Sequence, residues 1–319
     1  MRRFILKITI LATIILSIYI FIFFFLPYNP DNYYLAYNKK CALLQQDSTA
    51  PRLIFVGGSS LNFSIDSKMI KDSLHINVIN YGLTGGIGLK YMIDDISSYA
   101  KENDIIVFAP EYCFFFEEEA YGLAEALSHI MYLTGYKKLN LLNTQQKINV
   151  LKGLPSICEA KIKYLLSSFH SNRVGKEIYS VSGFNEYGDY CRHWDLSMKP
   201  EFNLPKKSTY FNYEFGEYFV KKINDLKNKS CEVIIIPPII IESGFRIIKE
   251  NAEEVNAFLL KNEIPFLVPP QNHVVPDDYA FNSYSHVNRE GVDFYSASII
   301  KELNAFFKYN NPSYQISLP

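Results

Sequence analysis

The first pattern along the chain is an unbroken apolar run. Ile8 to Leu26 carries no charge, follows Arg2, Arg3 and Lys7, and stops at Pro27. A helix of that length spans about 28 Å, close to the hydrocarbon thickness of a bilayer. It lacks the polar face that a core helix of a soluble domain keeps. The closing stretch "FIFFFLPYNP" offers no small-x-small cleavage site, so residues 1–27 read as an uncleaved signal anchor. The basic N-terminus favours a single-pass protein of the cell membrane, partnered with lipid through residues 8–26, with its main domain outside. Lys39 and Lys40 on the other flank keep that bias modest.

Residues 28–50 read as a membrane-proximal linker with a short helical piece, after which the period changes. "RLIFV" (52–56), "INVIN" (76–80), "DIIVFA" (104–109), "CEVIII" (231–236) and "PFLV" (265–268) are short β-rich runs bounded by turn residues. Between them Leu89, Met92, Ile93, Ile96 and Tyr99 recur at helical spacing. So do residues around 252–260 and the closing set Val292, Tyr295, Ile299, Leu303 and Phe306. Strands alternating with helices predict an α/β domain over 51–310, its mainly parallel sheet covered on both sides. Residues 113–210 break the rhythm with helical stretches near 123–133, 144–151 and 160–169. They form an insertion leaving the carboxyl end of the third strand, placed either to wall a substrate cleft or to dock a partner. Residues 311–319 are a tail.

Composition narrows the partners. The formal net charge is −1 and there is no basic stripe, which argues against nucleic acid. Five cysteines (Cys41, Cys113, Cys158, Cys191, Cys231) include no CxxC pair, so no zinc site or disulfide framework is read from them.

Three segments fall at one predicted sheet edge. Gly57-Gly58-Ser59-Ser60 ends the first strand. Such a turn either exposes a serine hydroxyl as a nucleophile or simply caps a helix. "NYGLTGGIG", Asn80 to Gly88, follows the second strand; its glycines suit an oxyanion hole, and it fits neither a dinucleotide fingerprint nor a Walker loop. "FNSYSHVNREG", Phe281 to Gly291, carries His286 just before the last helix. The other five histidines read as surface or core residues, His193 in "CRHWD" included.

Together these segments resemble the SGNH/GDSL hydrolase superfamily, in particular its membrane-anchored, exported acyl-transfer members. The resemblance covers about 51–109 and 231–307. It implies a flavodoxin-like three-layer sandwich, with Ser59 as nucleophile and His286 as general base. It also implies oxyanion N–H groups from Ser59 and Gly85, and no metal or other cofactor. Two positions depart from the family pattern. Glu111 stands where a third block carries an oxyanion asparagine. Ser283 and Asn282 stand where the acid of a triad is expected, leaving Asn282 to orient His286, with Asp277 or Asp278 as substitutes or a Ser–His dyad as the remaining option. Asn80 is a further supporting candidate.

The function so implied is ester hydrolysis or O-acyl transfer on cell-envelope carbohydrate or a related ester, with a membrane acyltransferase as a candidate partner. Two other classes stay open. One is a catalytically degenerate relative that binds glycan or a membrane partner. The other is a carrier-type or nucleotide-binding α/β domain, which the want of a phosphate motif disfavours.

Overall fold

A computed structural model describes residues 1–46, 51–168, 178–196 and 203–310. In chain order the helices are α1 (Arg2–Phe25), α2 (Ala36–Gln46), α3 (Ser59–Asn62), α4 (Ser67–Leu74), α5 (Leu89–Tyr99), α6 (Ala124–Leu133), α7 (Thr144–Ser168), α8 (Tyr213–Asn228), α9 (Glu242–Lys261) and α10 (Arg289–Asn310). The strands are β1 (Arg52–Gly57), β2 (Asn77–Asn80), β3 (Ile105–Ala109), β4 (Glu232–Ile235), β5 (Ile240–Ile241), β6 (Val274–Val275), β7 (Ala280–Ser283) and β8 (His286–Val287).

β2, β1, β3 and β4 lie in that order as a parallel sheet, with Ile54 opposite both Ile79 and Ile106. Successive strand residues point to opposite faces, so each face has its own core. Ile54, Val56, Ile106 and Phe108 pack with Leu44 of α2, Met92 and Ile96 of α5, and Phe215 and Phe219 of α8. Leu53, Phe55, Ile105 and Val107 pack with Ile70 and Leu74 of α4 and with Val292, Tyr295 and Ile299 of α10. The fold is therefore α/β with helices on both faces of a parallel sheet.

The amino-terminal edge of the sheet is closed by a buried ion pair. Arg52 makes two bonds to Asp104, at 2.9 and 2.5 Å, and also donates to the Leu44 and Tyr99 carbonyls. The carboxyl-terminal edge, where β1 ends at Gly57 beside Ala109 of β3, is left to loops. That edge is where open α/β sheets place their ligands.

Three elements differ from the sequence reading. The short helical piece expected in 28–50 is α2, but it is no linker: its Tyr37, Lys40, Cys41 and Leu44 are buried in the domain. The helical stretches expected at 144–151 and 160–169 are one helix, α7, which runs through Pro155. The run 265–268 contributes one parallel bridge, Phe266 to Ile235, because Pro265 has no N–H to extend a ladder. The 311–319 tail lies outside the described residues. All five cysteines are free thiols.

α1 is long and apolar enough to cross a membrane and buries none of its residues in the domain.

Candidate active site

β1 delivers Gly57-Gly58 to the carboxyl edge, and the chain turns at once into α3. Ser59 opens this short helix, half-buried, and its hydroxyl makes no hydrogen bond with the described residues. One turn on, Phe63 lays its ring flat on His286, with centroids 4.3 Å apart and planes 9° apart. Ser64 Oγ also reaches the Ser285 carbonyl, at 3.4 Å. The turn that begins with Ser59 is thus docked on the turn that carries His286, although the two residues lie at opposite ends of the domain sequence. No hydrogen bond joins the Ser59 hydroxyl to His286.

His286 begins the second strand of the β7–β8 hairpin, paired with Ser283. Asn282 on the first strand meets its ring: Nδ1 lies 2.9 Å from Asn282 Oδ1. The Asn282 amide nitrogen lies 3.1 Å from the Tyr179 hydroxyl and its oxygen faces the ring, a pairing that is complete when Nδ1 carries the proton and donates. The lone pair is then on Nε2, the atom a general base uses. Asp277 and Asp278 do not meet this ring. The Asp277 carboxylate accepts from Ser243 N at the start of α9 (2.8 Å), and Asp278 offers its backbone carbonyl to Asn288.

Burial is the main force on the imidazole. It pulls the His286 pKa from 6.5 down to about 3, and the nearby His193 pushes the same way. His193 is itself lowered to about 4 by burial, its Nε2 3.0 Å from the Val287 carbonyl. The neutral asparagine returns none of this loss, whereas a carboxylate would. The ring is therefore neutral at every ordinary pH and only weakly basic. Acid destabilises the fold: the unfolded chain takes up near pH 6.5 a proton that the folded ring refuses until about pH 3, so stability is lost as pH falls across that window.

Asn282→Asp is expected to raise the His286 pKa, bring an acid limb of kcat/KM into the measurable range, and raise the rate above that limb about tenfold or more. An unshifted pH–rate profile would show that Asn282 does not govern the base.

Glu111 follows β3 and turns its carboxylate over the two glycine segments. A Cβ on Gly58 would lie 2.5 Å from its oxygens, and one on Gly85 would lie 2.6 Å from Oε2. Glycine at both positions is what leaves room for the carboxyl group. Oε1 accepts from Ser60 N at 3.1 Å. Desolvation raises the Glu111 pKa, and the Ser60 hydrogen bond offsets part of that rise.

Asn80 is a brace. Its Oδ1 accepts from Gly82 N (2.9 Å) and its Nδ2 donates to Asp189 (2.9 Å), while its backbone carbonyl accepts from the buried Lys40 (2.9 Å). These bonds hold the glycine loop against the insertion. The Gly85 loop is held from its other side by α6, through Leu123 N to the Gly86 carbonyl at 2.7 Å.

No family model, curated protein or solved structure matches the chain.

A cavity of about 470 Å³ is lined by Ser60, Glu111, Tyr112, Tyr284 and Ser285, the chain neighbours of Ser59 and His286 among them, while Ser59, Gly85 and His286 themselves do not line it. The two ends of the insertion wall it: Cys113, Glu117 and Glu119 on one side and Pro205 to Ser208 on the other. Both charge signs are present, Lys206 and Lys207 besides the glutamates, and the Lys207 ammonium pairs with Glu250. Among the described residues no group of three His, Cys, Asp or Glu side chains is arranged to hold a metal ion.

Several contributors had no mark in the sequence. Phe63 and Tyr179, which seat His286 and Asn282, belong to no motif. Asp189 becomes visible only once the insertion folds back onto β2. A signal did exist for Glu111, the lone acidic residue straight after β3, but not for the direction of its carboxylate.

Proposed function

We propose that the protein is a membrane-anchored serine esterase or O-acyltransferase of the SGNH type, held by α1 with its amino terminus in the cytoplasm and its α/β domain outside. The observation that carries this reading is the pairing of His286 Nδ1 with Asn282 Oδ1, on a ring stacked against the turn that presents Ser59. With the proton on Nδ1, Nε2 is left as an acceptor.

In this reading Ser59 Oγ attacks the ester carbonyl carbon and its proton passes to His286 Nε2. The N–H groups of Ser59 and Gly85, with a protonated Glu111, receive the oxyanion. When the carbonyl re-forms, the ester C–O bond breaks and the departing alkoxide takes the proton from Nε2. Water or an acceptor hydroxyl then repeats the sequence on the acyl-serine. The mixed polar and apolar cavity suits an ester of carbohydrate.

A second reading is a non-catalytic binder of glycan or of a membrane partner. The depressed His286 pKa and the acidic side chain over Gly58 and Gly85 favour it.

An alkyl fluorophosphonate separates the two. Full-length protein is expected to take a single adduct on Ser59, mapped by peptide mass, with slower labelling in His286→Gln. An unlabelled Ser59, under conditions that label a control serine hydrolase, would leave the binder.

A further inference from the structure

The middle of the insertion turns away from the cavity and meets α1 at its domain end. The Lys161 ammonium donates to the Phe23 carbonyl, and the Cys158 thiol reaches the Tyr19 carbonyl at 3.9 Å. The Phe23 ring packs edge-on to Tyr132 at 5.4 Å. A buried ammonium on the last carbonyls of a helix satisfies orphan acceptors and complements the negative end of its dipole. α7 is thereby fixed against α1. Between them runs an open groove of about 720 Å³, walled by Tyr19, Ile20 and Phe23 on one side and Val150, Leu151 and Leu154 on the other, with Lys147 at its border.

The depth of this contact follows from helix geometry. At 1.5 Å per residue α1 is about 36 Å long, against about 30 Å of hydrocarbon. Tyr19 stands about 9 Å from the Phe25 end. When α1 crosses a bilayer, side chains touching Tyr19 and Phe23 stand among the acyl chains of the nearer leaflet.

The outer face of α7 has the matching chemistry. Ile148, Leu151, Pro155 and Ile162 recur at helical spacing and are exposed, Leu151 at 66%. Exposed Lys147, Lys152 and Lys163 border them, Lys163 paired with Glu159 on the same face one turn after Pro155. An apolar stripe edged by lysines belongs to helices that lie in a membrane interface and meet anionic headgroups.

We propose that α7 lies in the leaflet beside α1, with phospholipid acyl chains filling the groove and covering the stripe and with Lys147 and Lys152 against anionic headgroups. This rests on the membrane-anchor part of the function proposed above and not on its ester chemistry. The seat also fixes the height of the site. α6 packs so closely on α7 that a Cβ on Gly153 would clash with the Ala124 carbonyl, and α6 in turn holds the Gly85 loop.

The test uses the full chain in vesicles of bromine-labelled phosphatidylcholine with phosphatidylglycerol as the minor component. Against the baseline of the unaltered chain, Leu151→Trp is expected to lose its added emission severalfold. Bromines at the headgroup end of the chains should quench it more than bromines near the terminal methyl. Ile162→Trp should behave alike, and Phe294→Trp on α10 should not respond. Lys147→Glu with Lys152→Glu should weaken the quenching only when phosphatidylglycerol is present. Protein that floats with the vesicles while both α7 tryptophans stay unquenched would overturn the proposal, whether water, a second copy or a partner protein covers the stripe. Protein that does not float would overturn the anchor instead.

Discussion

Ser59→Ala is expected to lower ester turnover by about three orders of magnitude or more, and the double variant with His286→Gln should lose little beyond either single change. The reason is that in the proposed mechanism the two groups act on one proton. Without the hydroxyl the base has nothing to activate, and without Nε2 the hydroxyl keeps its ordinary, very high pKa. The Ser59 hydroxyl has no hydrogen bond among the described residues and is half-buried, so its removal should move stability by about 0.5 kcal/mol or less. A large loss of turnover with an unchanged melting temperature therefore reports chemistry. Equal turnover of wild type and Ser59→Ala, across esters of varied acyl chain and sugar, would remove Ser59 from the mechanism. His286→Gln is the less clean partner because His286 is stacked on Phe63. Its melting temperature belongs beside the kinetic result.

What the sequence carried was set by how local each interaction is. β1, β3 and β4 are built on continuous runs of large apolar residues ended by Gly or Pro, and a strand buried on both faces needs nothing more to declare itself. α10 showed itself through one apolar face. α2 was legible as a short helical piece but not as part of the core, because its buried surface includes Lys40, whose ammonium donates to the Asn80 carbonyl across the fold. Read locally, that lysine is a solvated charge. α7 was split in two by Pro155, yet the proline sits on the exposed side and the helix continues through it. The same limit applies to the site. Ser59, Gly85, Asn282 and His286 lie in short motifs after strands or before a helix. The seating of His286 on Phe63 and the turn of Glu111 over Gly58 depend on contacts between distant segments, which no local pattern records.

Glu111→Gln carries the next largest expected effect, and its sign depends on pH. A carboxylate over Gly58 and Gly85 would repel an oxyanion formed there, while a carboxylic acid would donate to it. Desolvation raises the Glu111 pKa, so the acid form persists to higher pH than in an exposed glutamate. As pH rises through that value the site loses a donor and gains a negative charge, and kcat/KM of the wild type should fall. No opposing limb is expected near pH 6.5, because His286 stays neutral down to about pH 3. Folding should follow the same direction, since a carboxyl group with a raised pKa contributes stability at low pH and loses it as pH climbs through the folded value. Glutamine keeps the shape and a donor at every pH. Glu111→Gln should match the wild type at low pH, exceed it at high pH by about a hundredfold where one oxyanion donor has been lost, and show no fall between. Glu111→Ala should be slow throughout. If Glu111→Gln falls with pH as the wild type does, the limb belongs to another group and Glu111 serves only to hold the Ser60 N–H. If Glu111→Gln is inactive at every pH while it folds, the negative charge itself is needed, as a ligand-binding role for this carboxylate would require.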